Sequence, residues 1–428
     1  MTTSNPVLRR LLLVSLALIL FVAGVVFLHE AFTSRVPGAN DFYSRWKGAQ
    51  LFWQEGVDPY SGEATAEIQR GMYGRLARPD EDQVAFAYPF YTAILLWPLA
   101  VIQLPYSWIQ AIWLTLLFGS LIGAVFLILR LLRWEMPVWL LALTTLWAIL
   151  LYNSIRTVIL GQFAAIVFLG IVATVFGLQR RREGMAGICL ALTTIKPQMI
   201  FLLIPALMIW ATGQRRWRFL TAFFGTMALL FGTSFILLPS WFEEFIGQVV
   251  HYTDYTETGS PIWIVTGYYL PQLGRPVEIG LSIALLAYLF TQWRLLPRAD
   301  AESGKFFDVV ILTLIITALV ALRTATTNQI VLLLPILASL RQIGQRLRFG
   351  IVFIVAFYAV TLSGIWFAFI RTIDGDAESP LIYFLLPGLA IVLFIWKLRV
   401  QAATTISSDE TPDLAIGLVE EHSYHRHR

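Results

Sequence analysis

Apolar runs, most of them close to the roughly 20 residues needed to cross a bilayer, alternate along the chain with short polar connections rich in arginine. The runs at residues 11–28, 107–129, 137–152, 161–178, 218–238, 277–296, 306–322, 329–340, 350–370 and 381–396 predict helices. In lipid only helices or closed barrels satisfy backbone groups, and these runs are far too long for barrel strands. Two stretches break the alternation. Residues 185–211 are interrupted by Lys196-Pro197-Gln198, so each arm is about half a crossing at ~1.5 Å per residue and the two should meet within the membrane. In residues 86–104, Tyr88-Pro89 and Trp97-Pro98 predict a kinked surface or re-entrant helix, with a full second span as the alternative. The fold class is thus all-α, a polytopic transmembrane bundle of about 10–13 membrane segments.

The polar segments set its orientation. Basic clusters at Arg9 and Arg10, Arg130 and Arg133, Arg180 to Arg182, Arg215 to Arg218, Arg294 and Arg298, Arg341 to Arg348, and Lys397 and Arg399 are expected on the cytoplasmic side. That leaves two long outer loops, about 29–85 and 239–275, whose aromatic residues, acids and glycines predict structured caps over the outer face. Residues 1–400 read as one transmembrane domain. Residues 401–428, ending in a histidine-rich stretch (His422, His425, His427), read as a polar, flexible cytoplasmic tail.

Composition agrees with a membrane class: 57% of residues are hydrophobic, 14% are charged, and mean hydropathy is +0.70. The net charge of +4 comes from loop cations that report topology and not nucleic-acid binding. The single cysteine, Cys189, excludes an internal disulfide and a thiolate metal site. Walker loops, dinucleotide fingerprints and nucleophile motifs are absent, so no nucleotide substrate, no cofactor and no metal is expected.

Against this apolar background a few polar residues carry candidate chemistry. Asp41 opens a segment in which Phe42, Trp46, Ala49 and Trp53 recur at helical spacing, giving an amphipathic helix suited to the membrane surface. An acid in its first turn is placed between a water-soluble acceptor and a lipid-linked donor; a helix cap is the competing reading. Lys196 is a charge inside a membrane segment, beside a proline that breaks the helix, and could grip a phosphate or snorkel to the surface. Arg323, before the polar run Thr324 to Gln329, and Arg156, between Asn153 and Gln162, are two more cations set apart from the basic clusters. Together the three suggest an anionic ligand on the outer side. In the second long loop His251, Asp254, Tyr255 and Glu257 lie close in sequence without a metal-ligand spacing; acid–base work and a plain surface loop both remain open. An outer acid, cations for a phosphate and aromatic outer loops suit transfer of a sugar from a lipid phosphate to an acceptor hydroxyl. Transport of a lipid or solute is the alternative, since transporters also have broken helices and buried charges.

The segment Asp41-Phe42 followed by Trp46, then Gly56-Val57-Asp58-Pro59-Tyr60, Phe86-Ala87-Tyr88-Pro89, Gly161-Gln162 and Lys196-Pro197-Gln198 together resemble glycosyltransferase family 87. The resemblance extends over about residues 8–400. It implies an integral-membrane transferase of the GT-C type using a polyprenyl-phosphate sugar, commonly mannose; the acceptor is left as a lipid, glycan or protein, and the charge topology puts the active site on the extracytoplasmic face. It also implies that Asp41 is the catalytic base; Tyr88, Trp46, Asp58, Lys196 and Gln198 are the candidate substrate-binding residues. The family often has a second proline after Tyr-Pro, where this chain has Phe90.

Overall fold

The computed structural model describes residues 6–79, 81–255, 259–322, 324–374 and 378–409, and among these the regular structure is helical, with no strand. α1 (Pro6–Leu28) is apolar all round, continues as a π-turn to Thr33, and is almost wholly exposed, which for such a sequence means facing lipid. The first long polar segment is structured, as its composition predicts: α2 (Asn40–Glu55) ends at Gly56 in the left-handed conformation, and α3 (Gly62–Tyr73) starts on a Ser61 cap whose Oγ accepts from the Ala64 N–H.

The stretch 86–104 holds only α4 (Tyr91–Leu95) and α5 (Trp97–Val101), five residues each and together about 15 Å long, too short for the full span held open as the alternative. Carbonyls around these short helices take donors from α2. The Trp53 and Trp46 indoles donate to the Ala93 and Leu99 carbonyls, both at 2.9 Å, and the Gln54 amide to Ala100 at 2.7 Å. These two short helices and α2 therefore form one layer.

α6 (Tyr106–Leu131) is of membrane length. α7 (Val138–Leu150) and α8 (Tyr152–Ile159) meet at a 57° bend, so the run read as a helix over 137–152 is one arm of a bent pair, and α9 (Ala164–Gln179) follows. Residues 185–211 form the expected two arms, α10 (Glu183–Leu192) and α11 (Leu203–Gly213), joined by 3-10 turns Thr193–Ile195 and Pro197–Met199 with Lys196 between them. Beyond α12 (Trp217–Leu237), the second long polar segment supplies α13 (Trp241–Tyr255) and α14 (Pro261–Tyr269).

α15 (Gly274–Trp293) and α16 (Gly304–Val320) come next, then a 3-10 segment Thr326–Leu332 that leads into α17 (Leu333–Arg346), followed by α18 (Gly350–Thr372) and α19 (Pro380–Asp409). The helix read over 329–340 is thus 3-10 in its first part. α19 runs past Val400 into the stretch read as tail; His422, His425 and His427 lie outside the described residues. Among the described residues six helices are long and apolar enough to cross a membrane, seven with the bent pair, and the protein is an integral membrane protein.

The core lies where α6, α9, α16 and α17 pack, while α12, α15 and α18 keep large apolar side chains on the outside. The polar run Thr324–Gln329 is buried in this core and is not displayed on a loop. Several of its groups bond to other helices: Asn153 donates to the Thr326 carbonyl at 3.0 Å, Thr157 to the Thr327 carbonyl at 3.0 Å, and Gln329 to the Tyr383 carbonyl at 2.8 Å.

Candidate active site

The start of α2 has no side-chain cap. Ala39 takes the left-handed conformation, and the N–H groups of Ala39 and Asp41 donate to the carbonyls of Ile159 and Leu160, each at 3.1 Å, at the end of α8. The Asp41 carboxylate is therefore released from capping. Its Oδ2 accepts from Gln162 Nε2 at 2.5 Å, and its Oδ1 lies 3.7 Å from Arg45 Nη1, one turn on.

Gly161 permits this approach. It sits at φ +70°, and a Cβ there would come within 2.7 Å of the Phe42 Cβ and 2.8 Å of the Ala39 Cβ. Trp113 locks the junction, donating to the Gly161 carbonyl at 2.8 Å and stacking on Phe42 with ring centroids 4.4 Å apart.

Lys196 comes from the opposite side. Where α10 breaks its side chain turns inward, with the residue only 2% exposed, and Nζ donates to Gln162 Oε1. A carboxylate, an amide and an ammonium thus form one chain: Asp41, Gln162, Lys196. The Tyr91 hydroxyl donates to Thr194 Oγ1 at 3.0 Å and ties the layer of α2, α4 and α5 to this break. Arg45 lies over the Tyr88 ring at 4.7 Å and donates to Ser44 Oγ at 2.6 Å.

All of these, apart from Ser44 and the Tyr91–Thr194 tie, line a cavity of about 300 Å³ together with Gln198 and Asn328, and Phe245 and Val249 of α13 form another of its sides. A second, mostly apolar groove of about 740 Å³ shares Pro197, Gln198 and Leu322 with it and runs along Phe201, Ile279, Ile283 and Leu286. A polar pocket holding an acid and a cation therefore continues into a mostly apolar groove between the turn at residues 197–201, α15 and the end of α16.

The family model for glycosyltransferase family 87 matches residues 86–322, more than half of the chain. The chain belongs to glycosyltransferase family 87. No curated protein and no solved structure matches it. Membership makes the protein a glycosyltransferase, so the transport alternative falls. The family 87 match contains Tyr88, Gln162, Lys196 and Gln198, whereas Asp41 and Arg45 precede it and join the site through the fold.

Of the residues read from the sequence, Asp41, Tyr88, Lys196 and Gln198 come together in this cavity. Arg156 does not line it. Its guanidinium is 2.6 Å from the buried Glu378 carboxylate, which also accepts from the Tyr152 hydroxyl at 2.8 Å and Thr326 Oγ1 at 3.1 Å, so this cation fastens α8 to the start of α19. Trp46 packs α2 on α5 and stacks near Tyr106. Asp58 closes its own turn, accepting from the Tyr60 N–H at 2.8 Å, and its carboxyl meets Glu244 of α13. Desolvation, and then the neighbouring Asp58, hold Glu244 above the usual carboxylate range.

His251 is exposed on α13, its Nδ1 donating to the Gly247 carbonyl at 2.8 Å. The side chain of Asp254, and all of Glu257 and Arg323, lie outside the described residues. Arg45 was not proposed as a site residue from the sequence, although its i,i+4 spacing from Asp41 signals it, and Gln162 entered only within the Gly161-Gln162 motif.

Proposed function

We propose that the protein transfers a sugar, commonly mannose in proteins of this kind, from a polyprenyl-phosphate donor to an acceptor hydroxyl at the extracytoplasmic face of the membrane. The observation that carries the reading is the Asp41–Gln162–Lys196 chain in one cavity that opens into an apolar groove. Asp41 takes the acceptor's hydroxyl proton as the acceptor oxygen bonds to the anomeric carbon. The bond from that carbon to the phosphate oxygen breaks, and its electron pair leaves with the phosphate. The donor phosphodiester carries one negative charge and the departing monoester gains another, so a cation beside it stabilises the transition state more than the ground state.

Lys196 suits that role, because an ammonium has three donors and Gln162 takes one. Gln198 stands where cavity and groove join, next to the position of the phosphate, and the groove offers apolar walls for the first prenyl units. Asp41 keeps access to the acceptor, its side chain being 32% exposed.

The test incubates the purified protein with a panel of polyprenyl-phosphate sugars and, separately, nucleotide sugars, and follows donor consumption with and without candidate acceptors. Release of polyprenyl phosphate supports the reading. Consumption of a nucleotide sugar alone would overturn it. Sidedness has its own check: cysteines placed near Asp58 and Tyr255 should react with an impermeant reagent from outside, and those near Arg181 and Arg346 should not.

A further inference from the structure

Gln162 is the only side chain that the described residues place in contact with both the carboxylate and the ammonium of the cavity. We infer that Gln162 is a positioning residue, fixing the separation and orientation of the acceptor-activating Asp41 and the phosphate-holding Lys196. The inference rests on the transfer reading above, with Asp41 as base.

An amide has two unlike ends. Its oxygen only accepts and its NH2 only donates, so Oε1 must face the ammonium and Nε2 the carboxylate, and the side chain has a single orientation that satisfies both. Its backbone is set as firmly: the Gln162 N–H donates to the Thr157 carbonyl at 2.9 Å, and Gly161 before it is pressed against the start of α2. The residue is 9% exposed, so little water competes for either end. Holding Oδ2 of Asp41 leaves Oδ1 as the oxygen that meets the acceptor. Arg45 pairs with the other oxygen, its Nη1 lying 3.7 Å from Oδ1.

Two substitutions separate positioning from packing. Gln162→Leu keeps the volume and removes both hydrogen bonds. It is expected to lower kcat by about 10- to 100-fold and to change KM for the lipid donor less, because an ammonium released from the amide still attracts the phosphate while an unaimed base no longer meets the acceptor. Gln162→Glu keeps the shape but sets a second carboxyl against Asp41. Two carboxyls at that spacing share a proton, and the acidic limb of the kcat/KM–pH profile should move up by about one unit or more.

Both variants are measured beside Asp41→Asn, with thermal unfolding in detergent as the folding control. If Asp41→Asn is inactive while Gln162→Leu turns over like the parent and the acidic limb of Gln162→Glu stays put, positioning is refuted and the transfer reading stands. If Asp41→Asn is fully active, the transfer reading with Asp41 as base falls. Should Gln162→Leu fail to fold, the pH profile of Gln162→Glu decides. Failure of both to fold would make Gln162 a scaffold residue and overturn the inference.

Discussion

Asp41→Asn divides chemistry from structure because the two kinds of loss differ in size. The Ala39 and Asp41 N–H groups at the start of α2 are satisfied by the Ile159 and Leu160 carbonyls, so no cap is lost with the carboxylate. An acid in the first turn of a helix is worth about 0.3–1 kcal/mol. The 3.7 Å contact to Arg45 involves a side chain that is 32% exposed, and such pairs are worth about 0–1 kcal/mol. Asn can still accept the Gln162 hydrogen bond through its carbonyl. The stability loss should therefore stay under about 2 kcal/mol. A general base contributes about 100- to 10,000-fold in rate, which corresponds to about 2.7–5.4 kcal/mol of barrier. The assay is sugar transfer from the polyprenyl-phosphate donor, with donor binding and thermal unfolding measured on the same preparation. The expected result is near-parental binding and unfolding with turnover reduced by at least about 100-fold. An Asp41→Asn protein that transfers sugar at the parental rate would refute the assignment of the base.

Lys196→Ala should weaken donor binding by about 10- to 150-fold, the loss of a charge-assisted phosphate contact of about 1.5–3 kcal/mol, read as the Kd for a polyprenyl-phosphate sugar; unchanged binding would make the lysine structural. Gly161→Ala places a methyl group 2.7 Å from the Phe42 Cβ at a positive φ, so it should destabilise the protein by about 2–4 kcal/mol and lower transfer in the fraction that stays folded, as measured by thermal unfolding beside specific activity. Glu244→Gln tests the contact of α13 with the first loop. A carboxyl held above its usual range contributes stability that is fully present below about pH 4.5 and lost as pH rises through the raised value, so the variant should flatten that fall and unfold at a higher temperature than the parent at neutral pH.

Much of this site can be read from the sequence because an apolar chain makes every exception visible. Lys196-Pro197 stands out as a charge beside a helix breaker, and the structure puts it between two half-length arms. Asp41 stands out as an acid opening an amphipathic helix. Gln162 carries no charge and lies at the edge of an apolar run, so nothing in its own chemistry separates it from the buried, non-catalytic Gln110. Its role depends on the meeting of α2 with the loop between α8 and α9, which is a long-range contact. The 3-10 segment Thr326–Leu332 was hidden for a related reason. Three of its polar groups bond to Asn153, Thr157 and Tyr383 on other helices, partners that local periodicity does not report.

Arg156 and Lys196 show why charge alone misleads in such a bundle. Both are set apart from the basic clusters, and both have a claim on an anionic ligand. What divides them is the partner. Arg156 faces the Glu378 carboxylate at 2.6 Å, and Lys397, buried near the other end of the bundle, is likewise paired with Asp308. A cation with its own carboxylate is a nearly neutral unit whose removal leaves an uncompensated buried charge, so it serves the fold and attracts an outside anion weakly. Among the described residues Lys196 meets no carboxylate directly; its hydrogen-bond partner is a neutral amide, and Asp41 lies on the amide's far side. Such a cation keeps its attraction for an incoming phosphate. In the proposed transfer the amide also keeps it from collapsing onto the acid that serves as base, so the separation that makes Lys196 costly to bury would be the separation that lets base and cation act on two ends of one substrate pair.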